Sequence, residues 1–277
     1  MSADGPRMTP QATQQATLTD AEVSALAADL YQARQTGIAI PPLTGERPGL
    51  TMADAYQIQQ ALLDRLAADG ERIVGYKIGL TSAPMQRLLG VDSPDFAPVL
   101  SSHVNEDGAV VTAADFIHPR IEAEIALVLR TDLRGPDCTA LDVAAAISGA
   151  VPALELVDSR IADWKIKLAD TIADLASSGA VVLGPTITPA PGLDLRLLGM
   201  ALSCNGELIA TGAGAAALGN PLQAVAWLVQ TLHPLGAYLR AGQFIMTGSL
   251  HGAVDISPGQ YYRAEFDRLG PVGARIR

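Results

Sequence analysis

Between Arg120 and Leu129 the chain alternates apolar and acidic positions with a period of two. In an extended strand this places Ile121, Ala123, Ile125 and Leu127 on one face, and Glu122 and Glu124 on the other, about 6–7 Å apart. Neighbouring carboxylates repel each other and resist burial, so that face either meets open water or holds a cation. Upstream the period changes to that of a helix. Thr19-Asp20-Ala21-Glu22 forms a capping box ahead of Val23, Leu26, Ala27 and Leu30, and Gly37 closes the helix. Thr51 to Asp54 opens a second helix with the stripe Ala55, Ile58, Leu62, Leu63 and Leu66, closed by Asp69-Gly70. Residues 1–17 are expected to be a disordered tail, 18–71 an N-terminal helical lobe and 72–277 a β-rich domain.

Residues 73–80 spell a short strand with glycines at Gly75 and Gly79 and a single charge, Lys77, among apolar neighbours. Such a lysine either snorkels at a surface or serves a site. Residues 81–89 read as a capped short helix and 90–96 as a loop, with Asp92 and Asp95 as its turn residues. After a helix at 139–148, the apolar strand 151–158 is interrupted by Glu155. Residues 163–176 read as helical with an irregular start, and 179–183 as a strand. Asn205-Gly206 turns a hairpin, and Asn220-Pro221 starts a helix that runs to about Leu232. Short strands follow at 244–248, 253–256, 261–266 and 272–276. This order predicts an α+β fold with a curled or barrel-like β core rather than a doubly wound parallel sheet.

Composition narrows the functions. Of 277 residues 49% are hydrophobic and only 4% aromatic, so the core is aliphatic. A net charge of −10 argues against nucleic acid or an anionic membrane as partner, and an anionic substrate would need a local cation. Cys138 and Cys204 stand far apart, which fits a reducing cytoplasm better than a disulfide framework. No run of 18 apolar residues predicts a membrane span, and residues 1–17 lack the apolar core of a signal peptide. Nucleophile-elbow, P-loop and dinucleotide fingerprints are missing, and the glycines at 212–217 are weak evidence for phosphate. The four histidines have no metal spacing. His118 beside Pro119 reads as structural, while His251 sits in a Gly-flanked loop that could line a pocket. Glu122, Glu124 and Glu155, with no Cys/His cluster, fit a hard cation, Mg²⁺ or Mn²⁺. An octahedral ion with three protein oxygens keeps three positions open. A 2-oxo acid fills two of them, and a lysine would balance the remaining charge.

Several motifs in series carry a resemblance: Gly75-Tyr76-Lys77-Ile78-Gly79-Leu80-Thr81-Ser82, Gly90-Val91-Asp92-Ser93-Pro94-Asp95-Phe96, Pro119-Arg120-Ile121-Glu122-Ala123-Glu124, Pro152-Ala153-Leu154-Glu155 and Asp158-Ser159-Arg160. From about Leu18 to the C-terminus the chain resembles the 2-oxo-4-pentenoate hydratase and 4-oxalocrotonate decarboxylase family, of the fumarylacetoacetate hydrolase-like superfamily. The resemblance implies a mixed, curled β-sheet roll with an N-terminal helical part, residues 72–277 being the catalytic domain. It implies Glu122, Glu124 and Glu155 as ligands of Mg²⁺ or Mn²⁺, Lys77 as the active-site lysine and Asp95 as the acid of the hydratases. Arg160, Ser249 and His251 are substrate-binding candidates. The implied activity is metal-dependent hydration of 2-hydroxypenta-2,4-dienoate, or a close relative, in meta-cleavage of aromatic rings. A homo-oligomer is implied, with other pathway enzymes as companions. Decarboxylation of a 2-oxo-3-enedioate is the alternative, followed by a silent 2-oxo acid-binding protein. Decarboxylases of the family tend to lack the acid at Asp95, and Asp163-Trp164 and Asp170-Thr171 also look like the hydratases. The 212–219 stretch and Phe244-Ile245-Met246-Thr247-Gly248 look more like the decarboxylases. One departure bears on the substrate: the family commonly reads Ala-Asp-Asn-Ala-Ser where this chain has Ala173-Asp174-Leu175-Ala176-Ser177.

Overall fold

Thr19 and Thr51 cap the two long N-terminal helices. Each hydroxyl accepts from the backbone three residues on, and the Glu22 or Asp54 carboxylate accepts from the capping residue's N–H. In the computed structural model, which describes residues 16–82, 86–87, 91 and 93–277, these are α1 (Asp20–Thr36) and α3 (Met52–Ala68), flanking the one-turn α2 (Leu43–Glu46). Gly37 ends α1 in the left-handed region, at φ 67°. Buried Asp54 also accepts from Thr17 N at 2.6 Å and Leu18 N at 2.9 Å, tying down the start of the described chain. The expected helix at 81–89 and the turn residue Asp92 fall largely outside the described residues.

The helices do not bury their stripes on each other alone. Leu26, Leu30, Ile58 and Leu62 share a cluster with Ile172, Ala173 and Leu175, from and just beyond the helix Leu168–Ala173. Among the described residues no helix is long and apolar enough to cross a membrane.

The strands are β1 (Ile73–Gly79), β2 (Asp95–Leu100), β3 (Val104–Glu106), β4 (Ala109–Val111), β5 (Arg120–Leu129), β6 (Ile147–Val157), β7 (Ser178–Leu183), β8 (Thr188–Pro189), β9 (Gly199–Cys204), β10 (Glu207–Ala213), β11 (Phe244–Ser249), β12 (Val254–Asp255), β13 (Tyr261–Phe266) and β14 (Gly270–Ile276). Among the described residues they form two mixed, open sheets. The larger runs β2-β1-β11-β5-β6-β7-β3, with β12 on β5 and β8 on β6; the smaller runs β10-β9-β13-β14-β4. Neither closes into a barrel, so the barrel-like alternative gives way to two packed sheets. β13 and β14 lie against β6, and β14 also against β7, over the main core of Ile121, Ile125, Leu127, Leu154 and Leu156.

Several boundaries differ from the sequence reading: the helix expected over 163–176 is only Leu168–Ala173, set between 3-10 turns at Ala162–Trp164 and Leu175–Ser177. Asp95 opens strand β2 instead of sitting in a turn. The helix after Thr139 stops at Ala146, because β6 begins at Ile147 and pairs with β5 over ten residues. The hairpin turn is as expected: Asn205 and Gly206 both have positive φ, at 52° and 89°.

Candidate active site

The two faces of β5 meet different surroundings. Ile121, Ala123, Ile125 and Leu127 point into the main core. The opposite face joins a second apolar layer, made by Val99, Ala126, Val151, Ala153, Val181, Phe244 and Met246. At one end of that layer lie the acids. Glu122 pairs directly across from Glu155 on β6, and Glu124 sits two residues along. One oxygen from each of the three carboxylates lies within 4.8 Å of the others. Glu124 and Glu155 are each 1% exposed and Glu122 is half-buried, so this face is not simply solvated.

Lys77 reaches the same place from β1. β11 separates β1 from β5, and the register aligns Lys77 with Met246 and Met246 with Ala126. The lysine is 3% exposed, which rules out a snorkelling surface role. Its Nζ donates to Ala176 O at 2.7 Å and lies 2.9 Å from Glu155 Oε1. The second contact has ion-pair distance without hydrogen-bond alignment, and both Glu155 oxygens are buried without a hydrogen-bond donor. Asp95, 2% exposed, accepts from Thr171 Oγ1 at 3.0 Å through Oδ2; its Oδ1 is buried without a partner. Asp95 stands opposite Gly79, where any Cβ would overlap Oδ1. Glu124 is held through Oε2 by the N–H of Gly248 at 2.8 Å. Gly248 has φ 109° and faces Thr81 so closely that only glycine fits.

Burial is the main reason the carboxyls of Glu122 and Glu124 titrate high, with the Glu155 charge adding to it; Glu122 is pushed up to about 7. Asp95 is raised as well, by burial, although Lys77 pulls the other way. Burial works against the Lys77 ammonium, but Glu155, Asp95 and Glu122 outweigh it and hold the lysine charged. One ammonium thus faces four carboxylates. A cluster with excess negative charge, and with Glu155 Oε2 buried without a partner, suits a divalent ion bound by oxygen. The Glu155 oxygens are the most direct sign of this fit.

The structure therefore brings Lys77, Asp95, Glu122, Glu124 and Glu155 together. The other expected residues are committed elsewhere. Arg160 is buried, with its Nε on Asp174 Oδ1, Nη2 on Asp174 O and Nη1 on Ser178 O. His251 Nε2 accepts from Ala123 N at 2.9 Å and its Nδ1 meets Gly252 O, so both ring nitrogens serve the chain. Ser249 aligns with Glu124 in the sheet, but its hydroxyl donates to His251 O. Three contributors went unread in the sequence: Thr171 on Asp95, the Gly248 N–H, and the Ala176 carbonyl that anchors Lys77. Ala176 lies in a run, Leu175-Ala176-Ser177, with all three φ near +50°. Such backbone costs on the order of 1 kcal/mol or more per residue. Leu175 adopts this unfavourable backbone while its side chain fills the apolar cluster of the N-terminal helices.

Comparison with known proteins places the chain in a family. The family model described as fumarylacetoacetate (FAA) hydrolase C-terminal matches residues 83–277. The chain is 45% identical over 265 residues to a 2-keto-4-pentenoate hydratase of Paraburkholderia xenovorans, covering 96% of this chain and 95% of the relative. It is 40% identical over 260 residues to a 4-oxalocrotonate decarboxylase of Pseudomonas putida, covering 94% and 98%. Among solved structures, a 4-oxalocrotonate decarboxylase from Pseudomonas putida complexed with magnesium and adipate superposes with a TM-score of 0.93 at 39% identity. That match covers 95% of this chain and 100% of the other.

Proposed function

Because this chain belongs to the fumarylacetoacetate hydrolase C-terminal family, we propose that it is a hydro-lyase that hydrates 2-hydroxypenta-2,4-dienoate or a close relative to a 4-hydroxy-2-oxo acid. The observation that carries this is the buried group of three carboxylates with Lys77 and Asp95 beside them. Identity to named hydratases exceeds that to named decarboxylases, 45% against 40%.

Glu122, Glu124 and Glu155 hold Mg²⁺ or Mn²⁺ in this reading. When bound, the ion supplies Lewis-acid polarisation of the substrate's carboxylate and C2 oxygen. The residues of the chain do the rest. The C2 hydroxyl loses its proton and C5 gains one, giving a conjugated 2-oxo-3-enoate; water then adds with oxygen at C4 and hydrogen at C3. Lys77, kept cationic by its carboxylate neighbours, stabilises the enolate charge that develops in both steps. Its Nζ is fixed by Ala176 O, which keeps it oriented instead of shuttling. Asp95 carries the proton, since Oδ1 is unengaged while Thr171 steadies Oδ2. The apolar layer behind the acids keeps water from that side of the site. The enzyme works in the cytoplasm, as a homo-oligomer, on a small 2-oxo acid of aromatic ring meta-cleavage, alongside other enzymes of that route.

A decarboxylase acting on a 2-oxo-3-enedioate is the second reading, favoured by the 0.93 superposition on a 4-oxalocrotonate decarboxylase. Loss of dienol absorbance without CO₂ release supports the hydratase, and stoichiometric CO₂ supports the decarboxylase. Full activity after EDTA treatment, with no metal restored, would sink both.

A further inference from the structure

Away from the acid cluster, a cavity of about 290 Å³ opens to solvent where the end of α1 meets β7 and the segment after β6. Arg34, His103, Asn105, Val110, Asp158 and Arg160 are among the residues that line it, and none of the five active-site residues does. Its polar groups are unbalanced. Arg34 Nη2 lies 2.6 Å from His103 Nε2. A guanidinium can only donate, so Nε2 is the acceptor and the imidazole proton sits on Nδ1. That Nδ1–H is buried with no partner, and so is Arg34 Nη1. Both leftovers are donors, and leaving such groups unpaired costs about 1–3 kcal/mol each.

The nearby carboxylates are already engaged. Asp174 holds Arg160. Asp158 accepts from the N–H groups of Ile117 and His118 and lies 4.0 Å from Arg160. Glu71 accepts from Ser101 and Ser102, and Asp115 is exposed. Among the described residues none of these acids lies within ion-pair distance of Arg34. Burial, together with the like charge of Arg160, pushes the Arg34 guanidinium down to about 9, although Asp174, Asp158 and Glu71 pull the other way from beyond ion-pair distance. Burial, then Arg34, keeps His103 neutral.

We infer that this cavity is a binding site for a small oxyanion, a carboxylate or phosphate group, received by Arg34 Nη1 and His103 Nδ1. The full-length protein is titrated with inorganic phosphate and, in a separate arm, with acetate, each against chloride at equal ionic strength, by calorimetry and thermal shift. At least one oxyanion is expected to bind saturably and raise Tm beyond chloride; which one does so separates the two sources. Arg34→Gln is expected to weaken that binding at least about tenfold, the scale of one charge-assisted hydrogen bond. If that variant does not fold, Val110→Asp decides. It sets a carboxylate at the 56%-exposed rim, outside the buried network, and should weaken binding by repulsion. No oxyanion effect above chloride, or equal affinity in the wild type and every folded variant, overturns the inference. Turnover of the dienoate is measured in parallel and is independent of it.

Discussion

Replacing Glu122 by glutamine should make the metal-free protein more stable at alkaline pH, although it removes a ligand. The carboxyl titrates at about 7 in the fold against an ordinary 4.5. A group whose pKa is raised by folding contributes stability below its unfolded value and loses it as pH climbs through the folded value. The window is therefore pH 4.5 to 7. At about 1.4 kcal/mol per pH unit the wild-type penalty above pH 7 approaches roughly 3 kcal/mol. Glu122 is only half-buried, so solvent trims this to about 1–3 kcal/mol. Urea denaturation in EDTA at pH 6 and pH 8.5 measures it: Glu122→Gln should exceed the wild type at both, and by more at pH 8.5, where the full penalty is present. Saturating Mg²⁺ reverses the order, because binding at 100-fold its Kd adds about 2.7 kcal/mol to the wild type. The variant gains little and loses metal-dependent turnover. A variant less stable than the wild type in EDTA at pH 8.5, or stabilised equally by Mg²⁺, would refute the reasoning.

Gly79→Ala forces a methyl into Asp95 Oδ1 and breaks its bond with Thr171. Overpacking and the lost hydrogen bond together should cost about 3 kcal/mol, with kcat down about 100-fold, read from the denaturant midpoint and steady-state rates. His103 is pushed down to about 2 by burial and Arg34, so the folded state resists its protonation. Stability should be intact above pH 6.5 and fall below it, by up to about 1.4 kcal/mol per pH unit, with His251 adding the same sign. Denaturation midpoints between pH 5 and 7 should lose part of that slope in His103→Gln. Asp54→Ala removes the acceptor of three backbone N–H groups and two hydroxyls. It should cost about 3 kcal/mol, with hydrogen exchange at Leu18 and Thr51 rising before that of the β5–β6 ladder.

What was legible in the sequence had a local cause. The caps at Thr19, Thr51 and Asn220 and the Asn205-Gly206 turn are set by side chains within a few residues of the backbone they satisfy. The strand bearing Glu122 and Glu124 was visible because its two faces differ in chemistry. β2 was hidden by Pro98, which normally speaks against a strand; it is tolerated because β2 is the edge of the larger sheet. β3 and β4, at three residues each, are too short to show a period. In the site, Lys77, Glu122, Glu124 and Glu155 stood out as charges in apolar runs, whereas Asp95 read as a turn residue and was marked only by the family resemblance. Their supports did not stand out, since Thr171 meets Asp95 across 76 residues of sequence, and the Gly248 and Ala176 contacts use only the main chain. Arg160 and His251 show the converse: each also secures a turn or strand of its own chain, which no local pattern reveals.

The order β1-β11-β5 has a consequence for how the protein is made. Lys77 and the acids of β5 and β6 come from the first 155 residues, yet β11, which holds β1 beside β5, begins only at Phe244. The Gly248 N–H on Glu124 arrives later still. A nascent chain with both acidic strands already out of the ribosome thus lacks the spacer that sets the lysine's distance. Loss of the last 34 residues, from Phe244 onward, should leave every charged site residue in place and the centre unassembled. Catalytic competence in this fold is a late event of synthesis, gained only when β11 threads between two strands made long before it.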